Sequence, residues 1–167
     1  MSDESSPIPS DRFTPEPEQQ KRPPLLINGQ YVKDLSFEAP NTPQVFSAMQ
    51  GEAPSIKVDI DVQAEPKQQD IFEVVLKVRA EARAKDQLAY LLEVEYAGIF
   101  TLNVPNEHLG PVVLIECPMI LFPFLRRIVA DLTGDGGFAP LMLSPIDFAQ
   151  LYQQRAQQAA AQQNQQA

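Results

Sequence analysis

FEVVLKVRAEAR, residues 72–83, and QLAYLLEVEYA, residues 87–97, decide the fold. In the first, Phe72, Val74, Leu76, Val78, Ala80 and Ala82 alternate with Glu73, Val75, Lys77, Arg79, Glu81 and Arg83. Successive side chains on a strand point to opposite faces, so this spacing predicts a long strand with one apolar and one charged face. The second stretch sets Leu88, Tyr90, Leu92, Val94 and Tyr96 against Gln87, Ala89, Leu91, Glu93, Glu95 and Ala97. Joined across Lys85-Asp86, the two form an antiparallel hairpin whose charged face meets water, although the turn has no glycine.

Outward from this hairpin the same period returns. Ile56, Val58, Ile60 and Val62 alternate with Lys57, Asp59 and Asp61; further upstream Tyr31, Leu35 and Phe37 alternate with Val32, Asp34, Ser36 and Glu38 until Pro40 ends the run. Four strands in a meander are expected. Beyond Pro105-Asn106 the period changes. A short helix is expected over 107–115. Met119, Phe122, Leu125, Ile128, Val129 and Leu132 then recur at helical spacing behind Pro118, with Pro123 bending the helix and Thr133-Gly134 stopping it. A loop follows over 134–140. Ser144-Pro145-Ile146-Asp147 gives an N-cap, a proline in the first turn and an acid for a C-terminal helix, buried through Ile146, Phe148, Leu151 and Tyr152. Strands first and helices after them imply an α+β fold, with a four-stranded antiparallel sheet packed on C-terminal helices.

The chain has 167 residues and a formal net charge of −9. Residues 1–24 carry six of the sixteen prolines among Ser, Asp, Glu and Gln and read as a disordered arm. Residues 25–152 form one domain, and 153–167, almost wholly Gln and Ala, read as a fraying helix running into a flexible tail. The start lacks a secretory or organelle address and no apolar stretch reaches membrane-spanning length, so a cytoplasmic chain is expected. The acidic balance, with a pI near 4.5, disfavours nucleic acid and favours basic partners.

Catalytic chemistry finds little support in the residues. One Cys, Cys117, and one His, His108, make neither a disulfide nor a zinc site, and as a nucleophile–base dyad they compete with the plainer reading of a packed thiol and an ordinary loop histidine. The carboxylate pairs Asp59/Asp61 and Glu93/Glu95 fit a solvated strand face better than an acid–base or calcium site. Gly134-Asp-Gly-Gly137 lacks the Lys-Ser/Thr of a phosphate-binding loop. No cofactor or metal is expected, and an enzyme is disfavoured. The surplus of Tyr90, Tyr96, Phe100, Phe122, Phe124 and Phe138 instead suggests apolar surface used in a homo-oligomer or offered to a partner.

Five collinear strings sharpen this reading: Asp34-Leu-Ser-Phe-Glu-Ala-Pro-Asn41, Phe72-Glu-Val-Val-Leu76, Ala97-Gly-Ile-Phe100, Cys117-Pro-Met-Ile-Leu-Phe-Pro123 and Leu143-Ser-Pro-Ile-Asp-Phe148. Together they resemble the SecB family of export chaperones from about Tyr31 to Tyr152, leaving out the Pro-rich arm and the Gln-rich tail. The resemblance implies an ATP-independent holdase, a tetramer built as a dimer of dimers, that keeps preproteins unfolded and delivers them to SecA for Sec translocation. It implies a SecA contact at Asp34, Glu38, Leu91 and Glu93. It also implies a client groove drawn from Phe46, Ile56, Val58, Ile60, Tyr90, Leu92, Tyr96, Phe100, Leu141 and Leu143, although the Trp common in the family near Phe46 is absent. The other readings are a small-molecule-binding or enzymatic β-rich domain using His108 and the carboxylates, and a SecB-like chaperone serving a toxin–antitoxin system.

Overall fold

The computed structural model describes residues 22–165; the arm through residue 21 and the last two residues of the tail lie outside the described residues. Four long strands, β1 (Leu25–Glu38), β2 (Ser55–Gln68), β3 (Ile71–Ala84) and β4 (Gln87–Leu102), form one antiparallel sheet. Among the described residues four α-helices accompany it: α1 (Gln44–Ala48), α2 (Asn106–Pro111), α3 (Cys117–Asp135) and α4 (Phe148–Gln165).

The strand order is β1-β4-β3-β2, which corrects the expected meander. β2, β3 and β4 are consecutive hairpins, but β1 crosses over to lie beside β4, as in a Greek key. The physical reason is a connection of sixteen residues, 39–54, far too long for a hairpin turn; it holds α1, which the sequence reading missed, with Val45 buried under it. The predicted turn at Lys85-Asp86 is where it was expected, with Lys85 supplying the left-handed conformation (φ 55°) that a glycine would otherwise take.

Two further corrections concern β1. The strand begins at Leu25 rather than Tyr31, and Asn103 holds the residues before it, donating from its side chain to the Pro23 carbonyl and from its backbone N–H to that of Pro24. A register shift between Val32 and Asp34 inserts an extra residue. Tyr31 therefore faces the charged side with Asp34, not the apolar side with Leu35 and Phe37, because one added residue reverses the alternation.

Register places the two faces. The outer face carries Asp34, Ser36 and Glu38 against Glu95, Glu93 and Leu91, then Lys77, Arg79 and Glu81 of β3, then Asp61, Asp59 and Lys57 of β2. The inner face carries Phe37, Leu92, Val94, Val78, Ala80, Val58 and Ile60 and meets α3 through Leu121, Leu125 and Val129, all fully buried. Gly98 makes this approach possible: a Cβ there would lie 2.6 Å from the Phe100 ring and 3.0 Å from Leu121 Cδ2.

The helical half also departs from expectation. The segment read as one short helix over 107–115 is α2 followed by a π-helical turn, Val112–Glu116, running straight into α3. Pro111 and Pro118 bracket this turn, and neither has an N–H for an α-helical bond. α4 starts at Phe148, four residues after Ser144, and its cap is Asp147, whose Oδ1 accepts the Gln150 N–H at 2.9 Å. Ser144 and Pro145 belong instead to an extended stretch, 139–147, that lines a groove beside β2. α4 continues helical through Gln165, and Arg155 within it reaches back to the Val62 carbonyl and Asp61 of β2.

Candidate functional site

The outer face is a lattice of charges. Glu93 accepts from Arg79 Nε at 3.0 Å, Lys77 pairs with Glu95 at 2.6 Å, and Glu81 bridges Arg79 and Arg83. The cations of these pairs lie on β3, and on the β1–β4 half Asp34 and Glu38 make no ion pair among the described residues. Register brings Asp34, Glu38, Leu91 and Glu93 onto this half, with Leu91 half-buried among exposed acids. That is a surface suited to a basic partner with an apolar anchor.

At the far end of the same face lies a buried charge that sequence reasoning did not single out. Glu73 is 4% exposed and accepts from the Tyr31 hydroxyl, from Lys33 Nζ at 2.9 Å and from Lys67 Nζ at 3.1 Å. The Tyr31 hydrogen bond, then that of Lys33, holds its carboxyl down at about 2. Burial, then the bond to Glu73, pushes the Tyr31 phenol up to about 12. The contact depends on the bulge that turns Tyr31 outward, which leaves no mark in the sequence.

The apolar groove has a volume of about 420 Å³. One wall is Ile56, Val58 and Ile60 on β2; the other is the extended segment from Leu141 to Ile146. Ile56 and Val58 are 42% and 36% exposed on the inner face of an edge strand. Phe46 is exposed near the segment's start, its ring 5.2 Å from that of Phe138. Four of the residues expected in the groove, Tyr90, Leu92, Tyr96 and Phe100, are corrected by the structure. Leu143 is largely buried yet stays in the wall with Leu141, whereas Tyr90, Leu92 and Phe100 are buried in the core, as is most of Tyr96, because α3, Phe37 and Phe138 cover the middle of the inner face. These four support the groove from beneath instead of forming its walls. Met142, 57% exposed and part of the lining, was missed because a single Met in a Pro-rich loop carries no pattern.

The catalytic alternatives are not assembled. Cys117 is buried, and burial together with the Glu116 charge pushes its thiol up to about 12, away from the thiolate a nucleophile needs. His108 is exposed and meets Glu107 at 3.5 Å, and among the described residues no cluster of His, Cys, Asp and Glu could hold a metal. Asp59, Asp61, Glu93 and Glu95 each face a cation: Lys57, Arg155, Arg79 and Lys77. Among the described residues no helix is long and apolar enough to cross a membrane.

The family model described as preprotein translocase subunit SecB matches residues 18–159. The chain belongs to the SecB family. It is 51% identical over 139 residues to the protein-export protein SecB of Rhodospirillum rubrum, covering 83% of this chain and 86% of the relative. It is 54% identical over 138 residues to that of Parvibaculum lavamentivorans, covering 82% of each. Its fold is shared with the solved SecB-like chaperone of Mycobacterium tuberculosis in complex with a ChAD peptide from the HigA1 antitoxin, at a TM-score of 0.61 and 18% identity, over 74% of this chain and 91% of that one. The protein is accordingly a SecB chaperone of protein export.

Proposed function

We propose that this SecB chain acts in the cytoplasm as an ATP-independent holdase, a dimer of dimers that keeps preproteins unfolded in the groove beside β2 and passes them to SecA through the acidic outer face. The observation that carries the reading is the division of labour within one sheet: exposed Ile56 and Val58 open to a groove on one face, and Asp34, Glu38 and Glu93 cluster on the other. Unfolded chains have in common exposed apolar side chains and free backbone, so burial by area, at about 25 cal/mol per Å², holds them without demanding a sequence. Binding only the unfolded form delays folding by mass action, with no nucleotide needed. Exposed Leu26, Val32, Leu35, Met119 and Phe124 support assembly, since a lone protomer leaves them in water.

Service to an antitoxin, as suggested by the peptide bound to the mycobacterial protein, is less well supported: the relatives near half identity are protein-export proteins. The test has two arms. Light scattering on the eluting full chain should give about four times 18.6 kDa, and the protein should suppress aggregation of a slowly folding preprotein without ATP. Asp34→Ala and Glu93→Lys should weaken SecA binding, the more so in low salt, and leave aggregation suppression intact. Normal SecA binding by both variants removes the outer face from the proposal; a chain that cannot suppress aggregation removes the groove.

A further inference from the structure

Residues 139–147, the outer wall of the groove, form neither helix nor strand, so their backbone has to find partners elsewhere. Two side chains of α3 provide them. The Leu141 N–H donates to Thr133 Oγ1 at 2.8 Å, and Arg126 Nε donates to the Leu143 carbonyl at 2.7 Å. Thr133 is fully buried and its own hydroxyl donates back into α3, to the Val129 carbonyl at 2.9 Å, so its single oxygen ties the helix to the segment. The Phe138 N–H adds a third tie, to the Thr133 carbonyl at 3.1 Å.

The spacing fits the purpose. Arg126 and Thr133 stand two helical turns apart on one side of α3, about 10.5 Å along its axis. From the Leu141 N–H to the Leu143 carbonyl, three extended residues span about 10 Å. The segment therefore runs antiparallel to the helix and is held at both ends of Leu141–Leu143, opposite Ile56, Val58 and Ile60.

We infer that Arg126 and Thr133 are positioning residues for client capture, fixing the 139–147 wall at a set distance from β2 and so setting the width of the groove. The inference rests on the reading of this groove as the client site. Neither residue lines that groove, so each acts through the wall it holds. Thr133→Ser keeps the acceptor; Thr133→Val keeps the shape and removes it, leaving the Leu141 N–H without a partner. Arg126→Met keeps the length of the side chain and removes the donors.

The test uses the full chain and two readouts. The first is amide hydrogen exchange over residues 138–144 without client, and the second is affinity for reduced, carboxymethylated α-lactalbumin as a permanently unfolded probe. Thr133→Val and Arg126→Met should each speed exchange and weaken probe binding by about tenfold, with oligomeric mass unchanged and Thr133→Ser close to wild type. The double variant should be little worse than the single ones, because both act through one segment. Faster exchange with unaltered affinity, unaltered exchange, or a Thr133→Ser variant as weak as Thr133→Val overturns the inference. Wild-type protein that fails to bind the probe, with exchange still responding to the substitutions, overturns the groove reading on which it rests.

Discussion

Replacing Glu73 by Gln should destabilise the protein by about 2 kcal/mol at neutral pH, and this cost should shrink in acid. The carboxylate accepts from Tyr31, Lys33 and Lys67, and these bonds hold it at about 2 against an ordinary 4.5. That gap corresponds to about 3 kcal/mol by linkage. Lys33 and Lys67 are 41% and 40% open to water, which screens their share and brings the expected value down to about 2 kcal/mol. A depressed carboxyl stabilises the fold fully above its unfolded value near 4.5, and the contribution is lost as pH falls toward 2. Gln keeps the shape but offers an amide where three donors converge, and at neutral pH it removes the charge that the lysines face. Urea unfolding followed by circular dichroism, at pH 7 and pH 3 and at one protein concentration, measures both variants on either side of the pI near 4.5. The difference between wild type and Glu73→Gln should fall to less than half between those pH values. A difference that is absent at pH 7, or as large at pH 3, refutes the assignment of Glu73 as a stabilising buried charge.

Other substitutions probe the core. Gly98→Ala should cost about 1–3 kcal/mol in the same unfolding assay, since its Cβ falls 2.6 Å from the Phe100 ring and 3.0 Å from Leu121; an unchanged midpoint would mean that α3 can move aside. The Tyr90 hydroxyl is buried with no hydrogen-bond partner among the described residues, so Tyr90→Phe should be neutral or stabilising by up to about 1 kcal/mol, and a clear loss of stability would reveal a partner for it. Cys117, with its thiol at about 12, should resist a disulfide reagent at pH 8 in the native protein and react at once in denaturant; fast native labelling contradicts its burial.

The sheet was legible because a half-buried strand writes its two faces into alternate residues, and 72–83 and 87–97 do so almost without interruption. The β1 register was not, because the bulge after Val32 shifts Tyr31 to the other face and nothing in Tyr-Val-Lys-Asp marks where the extra residue sits. The outer-face acids were readable for the same reason as the strands. Groove residues were harder: Ile56 and Tyr90 look alike in an alternating pattern, and only the cover from Phe138 and Phe37 separates an exposed wall from a buried floor. The ties from Arg126 and Thr133 to the 139–147 segment join parts of the chain through side chains, and periodicity carries no trace of such a contact.

The crossed order of the sheet also bears on how the protein is made. β2, β3 and β4 can pair as soon as each hairpin is complete, since each neighbour follows directly in the chain. β1 leaves the ribosome before any of them and yet has no partner until β4 is finished, because Leu25 pairs with Leu102 and Glu38 with Leu91. Distant pairings bear the largest loop-closure cost and form late. Throughout synthesis of the intervening strands, the nascent chain thus carries an unpaired strand with its open backbone and with Leu25 and Phe37, which pack against the core once folded, in water, so a protein that guards unfolded chains passes through a stage in which it is itself one to be guarded.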